Sequence, residues 1–283
     1  MLRRSKTAAK ERKKTPQRPL ERFVFLPRAG ERIRALDLPP LSKKAYTRIS
    51  QISDIPLETL LPSMATEMPW YLSGGYDFTS HQIGIKDGIG APSKRPFVAE
   101  KTADEELQHG LQGLFQDTAM LRARKTGKPQ KRQNGRTVSE NKTYYQLLRE
   151  RPGIEATARV HINRGQAFGN AVMFPAMVLP FLGLNYKVIL GLFAVTASRR
   201  VFNTFVARGY YKRHGTDGLI LLFADPPKNW SMLRLRAKES FFVRNGFLER
   251  HGGLTEKGMS YFRQKAPKKK ILENLRIMKG QQS

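Results

Sequence analysis

The stretch LFAVTASRRVFNTFVARGYYKRHGTDGLILLF, residues 192–223, decides the fold expected for the C-terminal half of the chain. Just before it, Asn185 can cap a helix over 186–195, and Thr196-Ala197 suit a tight turn. Ser198 can then cap a second helix, because the apolar residues that follow recur at helical spacing. These residues are Val201, Phe202, Phe205 and Val206. The segment therefore predicts two helices joined by a short turn.

The end of this stretch predicts a two-stranded wing. Gly209 stands where a helix can end in a left-handed cap. Asp217-Gly218 is typical of a hairpin turn, and two short segments rich in strand-forming residues flank it, Tyr210–Arg213 and Leu219–Phe223. Helix, turn, helix and wing follow in order, so residues 186–224 resemble a winged helix-turn-helix DNA-binding domain.

This resemblance implies that the polar side of the second helix contacts DNA bases and that the wing contacts the backbone or the minor groove. Arginine and asparagine side chains can bond base edges in the major groove, and serine or threonine can bind phosphates or bases. The nucleic-acid-binding residues it implies are Ser198, Arg199, Arg200, Asn203, Thr204, Arg208, Lys212, Arg213 and His214. The alternative is an ordinary amphipathic helix with a solvated basic face.

A motif in this region recurs 37 residues later: FVARGYYKRHG (205–215) returns as FVRNGFLERHG (242–252). The second copy leads into LTEKGMSYF (254–262), which resembles the last strand and helix of many winged helices. The spacing is too short for two complete winged domains. Either one copy is structural, or two small helix–turn units pack as one domain, or a common helix-ending pattern has recurred by chance.

Composition limits the classes of function. The chain has 283 residues, of which 40% are hydrophobic, no Cys, and a formal net charge of +28. The lack of cysteine excludes disulfides, Cys-ligated zinc or iron–sulfur sites and a thiol nucleophile. The charge indicates a polyanionic partner or a membrane surface. Residues 1–35, 122–142 and 263–283 hold +22 of this charge, so they would supply affinity without sequence information.

The charge distribution also predicts the organisation of the chain. Its parts are a basic flexible arm (1–35), an N-terminal helical domain (36–121), a basic linker (122–142), a C-terminal winged-helix-like domain (143–265) and a basic amphipathic tail (266–283). The expected fold is mainly α, in an α+β arrangement with basic tails that are disordered when free. The linker would add non-specific phosphate contacts through Arg122, Arg124, Lys125, Lys128, Lys131 and Arg132. The tail could dock on the core, on a partner helix or on an anionic membrane.

Capping residues predict the helices of the N-terminal half. Ser42 can cap a first helix and Asp54 the next, and Thr102–Glu105 forms a capping box for a third. The first helix would bury Tyr46, Ile49 and Ile52. The glycine-rich segment 74–98 fits a loop or a short hairpin.

The residues give no support for an enzyme. The five histidines show no metal-ligand spacing such as HExxH, and no GxSxG nucleophile motif occurs. We therefore expect no metal, no cofactor and no catalytic residue, although strand cleavage by a tyrosine is left open.

One segment, 165–198, is a candidate for contact with a membrane. Residues 165–186 form an uncharged run that is long enough to span a bilayer. However, Pro175 and Pro180 would leave backbone carbonyls without partners in lipid, so a buried core segment is favoured.

We therefore expect a non-enzymatic DNA-binding protein, either a plasmid or phage replication initiator or a transcriptional regulator. It would be cytoplasmic or nucleoid-associated, with duplex DNA as its partner and a homodimer as an option. One alternative is a structural RNA-binding component, such as a ribosomal or mitochondrial ribosomal protein. A mitochondrial ribosomal protein would lie in the mitochondrial matrix. The other is a membrane protein with its hydrophobic segment at 165–198.

Overall fold

The computed structural model describes residues 30–65, 74–85, 96–126, 130–131, 137–138, 157–158, 185–227 and 232–280. This part of the chain is mainly helical with a small three-stranded sheet, which confirms the mainly α, α+β class. The helices are α1 (Pro40–Ser53), α2 (Leu57–Leu60), α3 (Pro96–Leu114), α4 (Thr118–Thr126), α5 (Tyr186–Ala224), α6 (Met232–Arg244), α7 (Glu256–Lys265) and α8 (Lys268–Met278). The strands are β1 (Ser63–Met64), β2 (Gly74–Asp77), β3 (Gln82–Ile85), β4 (Gln130–Lys131) and β5 (Thr137–Val138).

Helix α1 has the predicted apolar stripe but different ends. The buried residues of the stripe are Tyr46, Ile49 and Ile52, which confirms the helix. Because α1 begins at Pro40, Ser42 lies inside its first turn and is not the cap. Asp54 does not cap the next helix either: it ends α1 in the left-handed conformation, with φ 54°.

Asp104 of α3 takes the place of a local cap for α1. Its Oδ1 accepts a hydrogen bond from the backbone N of Ser42 at 3.0 Å, so a carboxylate lies at the positive end of α1. Burial raises the pKa of Asp104 to about 6, although the hydrogen bonds from Ser42 act in the opposite direction. The predicted capping box at Thr102–Glu105 was wrong, because α3 begins at Pro96 and these residues lie inside it.

The glycine-rich segment forms a hairpin between residues 74 and 85. Strands β2 and β3 are antiparallel, and β1 runs parallel to β3. In the connection, buried His81 donates from Nε2 to the Leu60 carbonyl at 2.9 Å and accepts at Nδ1 from the Tyr76 hydroxyl at 2.7 Å. Burial lowers the pKa of His81 to about 4, which keeps the ring neutral, as this pair of hydrogen bonds requires.

Helix α5 runs through the whole stretch that predicted a turn and a wing. Asn185 caps it as predicted, since its side chain accepts from the backbone N of Lys187 at 3.0 Å. The other predicted boundaries were wrong because all of these residues are helical: the turn at Thr196-Ala197, the caps at Ser198 and Gly209, and the strands Tyr210–Arg213 and Leu219–Phe223. Within α5 the helix is interrupted at Gly215, where a φ of 60° introduces a kink.

Burial explains why this stretch is helical. The residues before the kink that face the core recur at helical spacing: Val206, Ala207, Tyr210 and His214. After the kink, every residue from 219 to 224 is buried. Periodicity alone cannot distinguish a strand from a helix in such a short, fully buried run. The Tyr210 hydroxyl donates to the Gly218 carbonyl at 2.8 Å, which joins the two halves of the helix across the kink.

Helix α6, a short hairpin and α7 follow α5. Helix α6 packs on α5, and one antiparallel bridge, Leu248 with Leu254, forms the hairpin between α6 and α7. Thr255 caps α7 by accepting from the backbone N of Gly258 at 2.9 Å. The second copy of the recurring motif therefore ends a helix and enters a hairpin, whereas the first copy is helical up to the kink at Gly215.

The segment predicted as a basic amphipathic tail contains helix α8, which docks on the core, so the expectation that this tail is disordered was wrong. The buried residues of α8 are Ile271, Asn274, Leu275 and Met278, and the helix packs on α3 and α4. The expectation of a flexible linker was wrong for residues 122–126, which form the end of α4. Buried residues from the predicted N-terminal and C-terminal domains join in one apolar cluster.

None of the helices in the described ranges combines the length and the apolarity that crossing a bilayer requires. Residues 165–184, the first part of the candidate membrane segment, lie outside the described residues, as do residues 1–29 of the basic arm. The expectation of a flexible arm was wrong for its last residues, because Ile33 is buried and its backbone N donates to the Pro62 carbonyl at 3.3 Å.

We expect Gly258→Ala to destabilise the protein. A Cβ at this position would lie 1.9 Å from the carbonyl oxygen of Phe247, so α7 and the hairpin would have to separate. The free energy of unfolding should fall by about 1–3 kcal/mol, as overpacking typically costs. Urea denaturation measures this loss.

Ser260→Ala, an exposed position in the same helix, is the control and should change stability by less than about 0.5 kcal/mol. Equal stabilities for the two variants would contradict the close approach.

Candidate nucleic-acid interface

Helix α6 presents an apolar face to the core and a basic face to solvent. Leu235 and Phe242 are buried, and α6 packs on α5. The exposed residues are Leu233, Arg234, Arg236, Ala237, Phe241 and Arg244. None of the three arginines has a hydrogen-bond or ion-pair partner among the described residues. Their guanidinium groups are therefore available to an anionic ligand.

Glu239 fixes the orientation of α6 from its inner side. Its carboxylate accepts hydrogen bonds from Nε of Arg213 at 2.6 Å, from Nη2 of Arg213 at 2.9 Å and from Nε2 of His214 at 2.9 Å. Burial alone would raise the pKa of Glu239, but the hydrogen bonds from His214 and Arg213 and the positive charge of Arg213 outweigh it and lower the pKa to about 2. The ionised carboxylate thus ties two consecutive residues of α5 to α6.

The hairpin after α6 is held to α5 by two contacts. The backbone N of Leu254 donates to Oδ2 of Asp217 at 3.0 Å, and Nδ1 of His214 lies 3.3 Å from the carbonyl oxygen of Gly252. One side chain of α5, His214, therefore contacts both α6 and the hairpin. The tip residues Arg250 and His251 are exposed.

Most carboxylates of this region are engaged inside the fold. Asp225 accepts from Nζ of Lys238 at 2.5 Å and from the Tyr261 hydroxyl at 2.6 Å, so it joins the end of α5 to both α6 and α7. Glu239, which bonds α5, and Asp217, which bonds the hairpin, have similar roles. The exposed acidic residues near the hairpin are Glu249 and Glu256. The outward face of α6 itself carries arginines and no carboxylate.

The residues predicted to contact bases lie on several sides of α5. Ser198 and Lys212 are exposed, and Thr204 and Arg208 are half-buried. Asn203, expected to contact bases, and His214, expected to contact DNA from a wing, are instead 6% and 3% exposed, because they lie on the side of α5 that faces the core. Arg213 is paired with Glu239. For Arg199 and Arg200 the structure describes the backbone alone, which is helical.

The predicted phosphate contacts of the linker are partly engaged within the fold. Arg122 forms an ion pair with Glu273 of α8. Arg124 donates from Nη1 to Oε1 of Gln116 at 2.8 Å. Nζ of Lys125 donates to two backbone carbonyls, those of Thr79 and Met278, at 3.0 Å each. The side chains of Lys128, Lys131 and Arg132 lie outside the described residues.

The arginines of α6 and Arg250 were not among the residues predicted from the sequence. Two signals could have found them. Leu235 and Phe242 are seven residues apart, which is the spacing of one helical face, and the second copy of the motif begins at Phe242 itself. The prediction followed the first copy because Val201 and Phe202 before it and Phe205 at its start recur at helical spacing.

Within the described ranges, no group of three or more His, Asp and Glu side chains is placed to hold a metal ion. Comparison of the chain with family models, curated proteins and solved structures finds no match. The comparisons therefore do not test the winged-helix resemblance, and the helical course of α5 contradicts the turn and wing boundaries on which it rested.

Glu239 should make stability depend on pH in the acid range. Its pKa falls from an ordinary value of 4.5 to about 2 on folding, so its ionised form stabilises the fold above about pH 4.5. This contribution is lost as the pH falls toward 2. We expect Glu239→Gln to be less stable than the wild type near neutral pH, with the difference shrinking below pH 4.5.

Denaturant unfolding at a series of pH values measures this difference. Glu249→Gln, which removes an exposed carboxylate in the hairpin, is the matched control and should follow the wild type. A gap between Glu239→Gln and the wild type that stays constant down to pH 2 would contradict the low pKa of Glu239.

Proposed function

We propose that this chain is a non-enzymatic DNA-binding protein that inserts α6 into the major groove of duplex DNA. The observation that carries the proposal is the outward face of α6, where Arg234, Arg236 and Arg244 are exposed and have no ion-pair partner among the described residues. An α-helix fits the major groove, and arginine often recognises guanine there through two parallel hydrogen bonds. A helix whose exposed half carries three arginines suits that role.

In this proposal the hairpin and the basic arm contact the DNA backbone. Arg250 and His251 are exposed at the tip of the hairpin, shortly after the end of α6, where they would meet phosphates. The first 29 residues of the predicted basic arm would follow the phosphates without sequence preference. Such a protein would initiate replication of a plasmid or phage or regulate transcription, in the cytoplasm or at the nucleoid.

A structural RNA-binding role is the second candidate, and one feature favours it. The ring of Phe241 is exposed on α6, and Nζ of Lys238 lies 5.2 Å from its centroid. An unpaired base stacks on an aromatic ring of this kind, with a cation beside it.

Selection of bound sequences from a random duplex pool, run with a structured RNA competitor, separates the two candidates. An enriched duplex motif supports the DNA-binding function. If the protein binds the RNA competitor and no duplex motif is enriched, the RNA-binding role is supported.

Arg236→Ala should weaken binding to the selected duplex more than Arg276→Ala does. Both arginines are exposed on helices, and neither has an ion-pair partner among the described residues. A base contact contributes about 1–3 kcal/mol, so the α6 variant should lose roughly 5- to 150-fold in affinity. Fluorescence anisotropy over a salt series measures both the affinity and its salt dependence. Equal losses for the two variants would show that α6 contributes charge alone.

The double variant Arg199→Glu, Arg200→Glu tests whether α5 contacts bases instead. If α6 recognises the sequence, this charge reversal lowers affinity but leaves the selected sequence unchanged. A repeated selection with the variant protein measures this, and circular dichroism confirms that the variant is folded. Loss of the selected motif in this variant, together with its retention in Arg236→Ala, would assign recognition to α5.

A further inference from the structure

Helix α5 carries an exposed stripe that the proposed DNA contact of α6 does not use. The residues of this α5 stripe are Lys187, Gly191, Ala194, Ser198, Phe202, Phe205 and Gly209. They follow one another at intervals of three or four residues and so lie along one side of the helix. All are exposed except Gly209, which is half-buried. Val188, Leu190 and Val195 beside the stripe are exposed as well. An apolar surface of this kind on a single chain marks an interaction site.

The spacing of the α5 stripe is symmetric about Ser198. Its other positions lie 4, 7 and 11 residues away on each side. A two-fold axis at Ser198 would bring a second, antiparallel copy of α5 against the stripe, with each position facing the one equally far on the other side. The facing pairs are then Phe202 with Ala194, Phe205 with Gly191, Gly209 with Lys187, and Ser198 with itself.

Side-chain sizes match in this antiparallel pairing. Phe202 and Phe205 are 57% and 53% exposed, and each would face a small residue of the other copy. A parallel pairing would set Phe202 against Phe202 and Gly191 against Gly191, which crowds one end of the interface and leaves a gap at the other. Two helices pack closely where large side chains of one enter the spaces of the other. The stripe therefore fits a second copy of itself when the two helices run antiparallel, and not when they run parallel.

Gly191 supports this fit independently. A Cβ built at this position meets no atom within 4 Å, so no contact within the part of the chain that the structure describes requires a glycine there. Glycine destabilises a helix relative to alanine, because it loses more conformational freedom on folding. A phenylalanine from a second copy supplies the missing reason for the glycine.

We propose that this chain forms a homodimer in which two α5 helices pack antiparallel about Ser198. The stripe spans 23 residues, from Lys187 to Gly209, which is roughly 35 Å of helix. Positions 199 and 200 lie about 100° and 200° around the helix from Ser198, so the two arginines there are off the stripe. If the proposed DNA-binding function also holds, the dimer carries two α6 helices related by a two-fold axis, and its selected site is an inverted repeat.

Single cysteines test the direction of the pairing, because the chain has no cysteine of its own. Ser198→Cys should form a disulfide-linked dimer under mild oxidation, since position 198 faces itself. Ala194→Cys should not, because its two copies are offset by eight residues, about 12 Å along the axis, which is beyond the reach of a disulfide. Cross-linking of both variants would indicate a parallel pair, and cross-linking of neither would remove the interface. Either result overturns the proposal.

Sedimentation velocity without nucleic acid tests the dimer itself. The double variant Phe202→Ser, Phe205→Ser should raise the dimer Kd by roughly 100-fold or more. Leu36→Ser, at a residue 71% exposed and outside α5, is the matched control and should leave the Kd unchanged. Equal effects of the two variants, or a monomeric wild type, would overturn the proposal.

Flotation with vesicles of phosphatidylcholine and phosphatidylglycerol tests whether the α5 stripe binds a lipid surface instead of a second copy. A wild-type protein that floats with the vesicles and stays monomeric in solution binds lipid through this surface, and the dimer is then wrong. A dimer that selects no DNA sequence would refute the proposed function and leave the α5 interface intact.

Discussion

The ionised carboxylate of Glu239 is the contact on which the outward face of α6 depends. It bonds two consecutive residues of α5, Arg213 and His214, and so fixes the rotation of α6 as well as its distance from α5. Apolar contacts alone are not directional, whereas a guanidinium that bonds both oxygens of a carboxylate is. Burying this carboxylate costs solvation, and its two partners offset that cost. The basic outer face of α6 thus follows from an acidic contact beneath it.

The two copies of the recurring motif show how strongly this contact decides the roles of equivalent residues. In the first copy Arg213 is paired with Glu239, while its counterpart Arg250 in the second copy is exposed. The glycines differ in the same way: Gly209 is inside α5, and Gly246, with φ 67°, lies beyond the end of α6. A short sequence match therefore fixes neither the local structure nor the exposure. For the two arginines, the partner that the first copy finds on a neighbouring helix accounts for the difference in exposure.

The coarse fold could be predicted from the sequence because apolar periodicity reports burial directly. The helix ends could not, because their partners are distant: Ser42 bonds Asp104, 62 residues away, and no local pattern contains that residue. The predicted wing failed for another reason. Its second strand is part of a run in which every residue from 219 to 224 is buried, and there helix and strand patterns coincide. The candidate site lies on α6 rather than α5 because the structure leaves three arginines of α6 exposed and unpaired among the described residues, which no local sequence pattern reports.

Net charge alone does not locate a nucleic-acid surface in this chain, because several cations serve the fold. Three lysines donate to backbone carbonyls, and burial lowers the pKa of two of them, Lys270 and Lys279. Lys125 bonds the carbonyls of Thr79 and Met278 at 3.0 Å, Lys270 that of Phe115 at 3.4 Å, and Lys279 that of Thr59 at 3.1 Å. Some of these carbonyls lie at helix ends, where a cation is favoured. The arginines of α6 differ in that no described residue uses them, and a cation without an internal partner is the one that a phosphate or a base can bind.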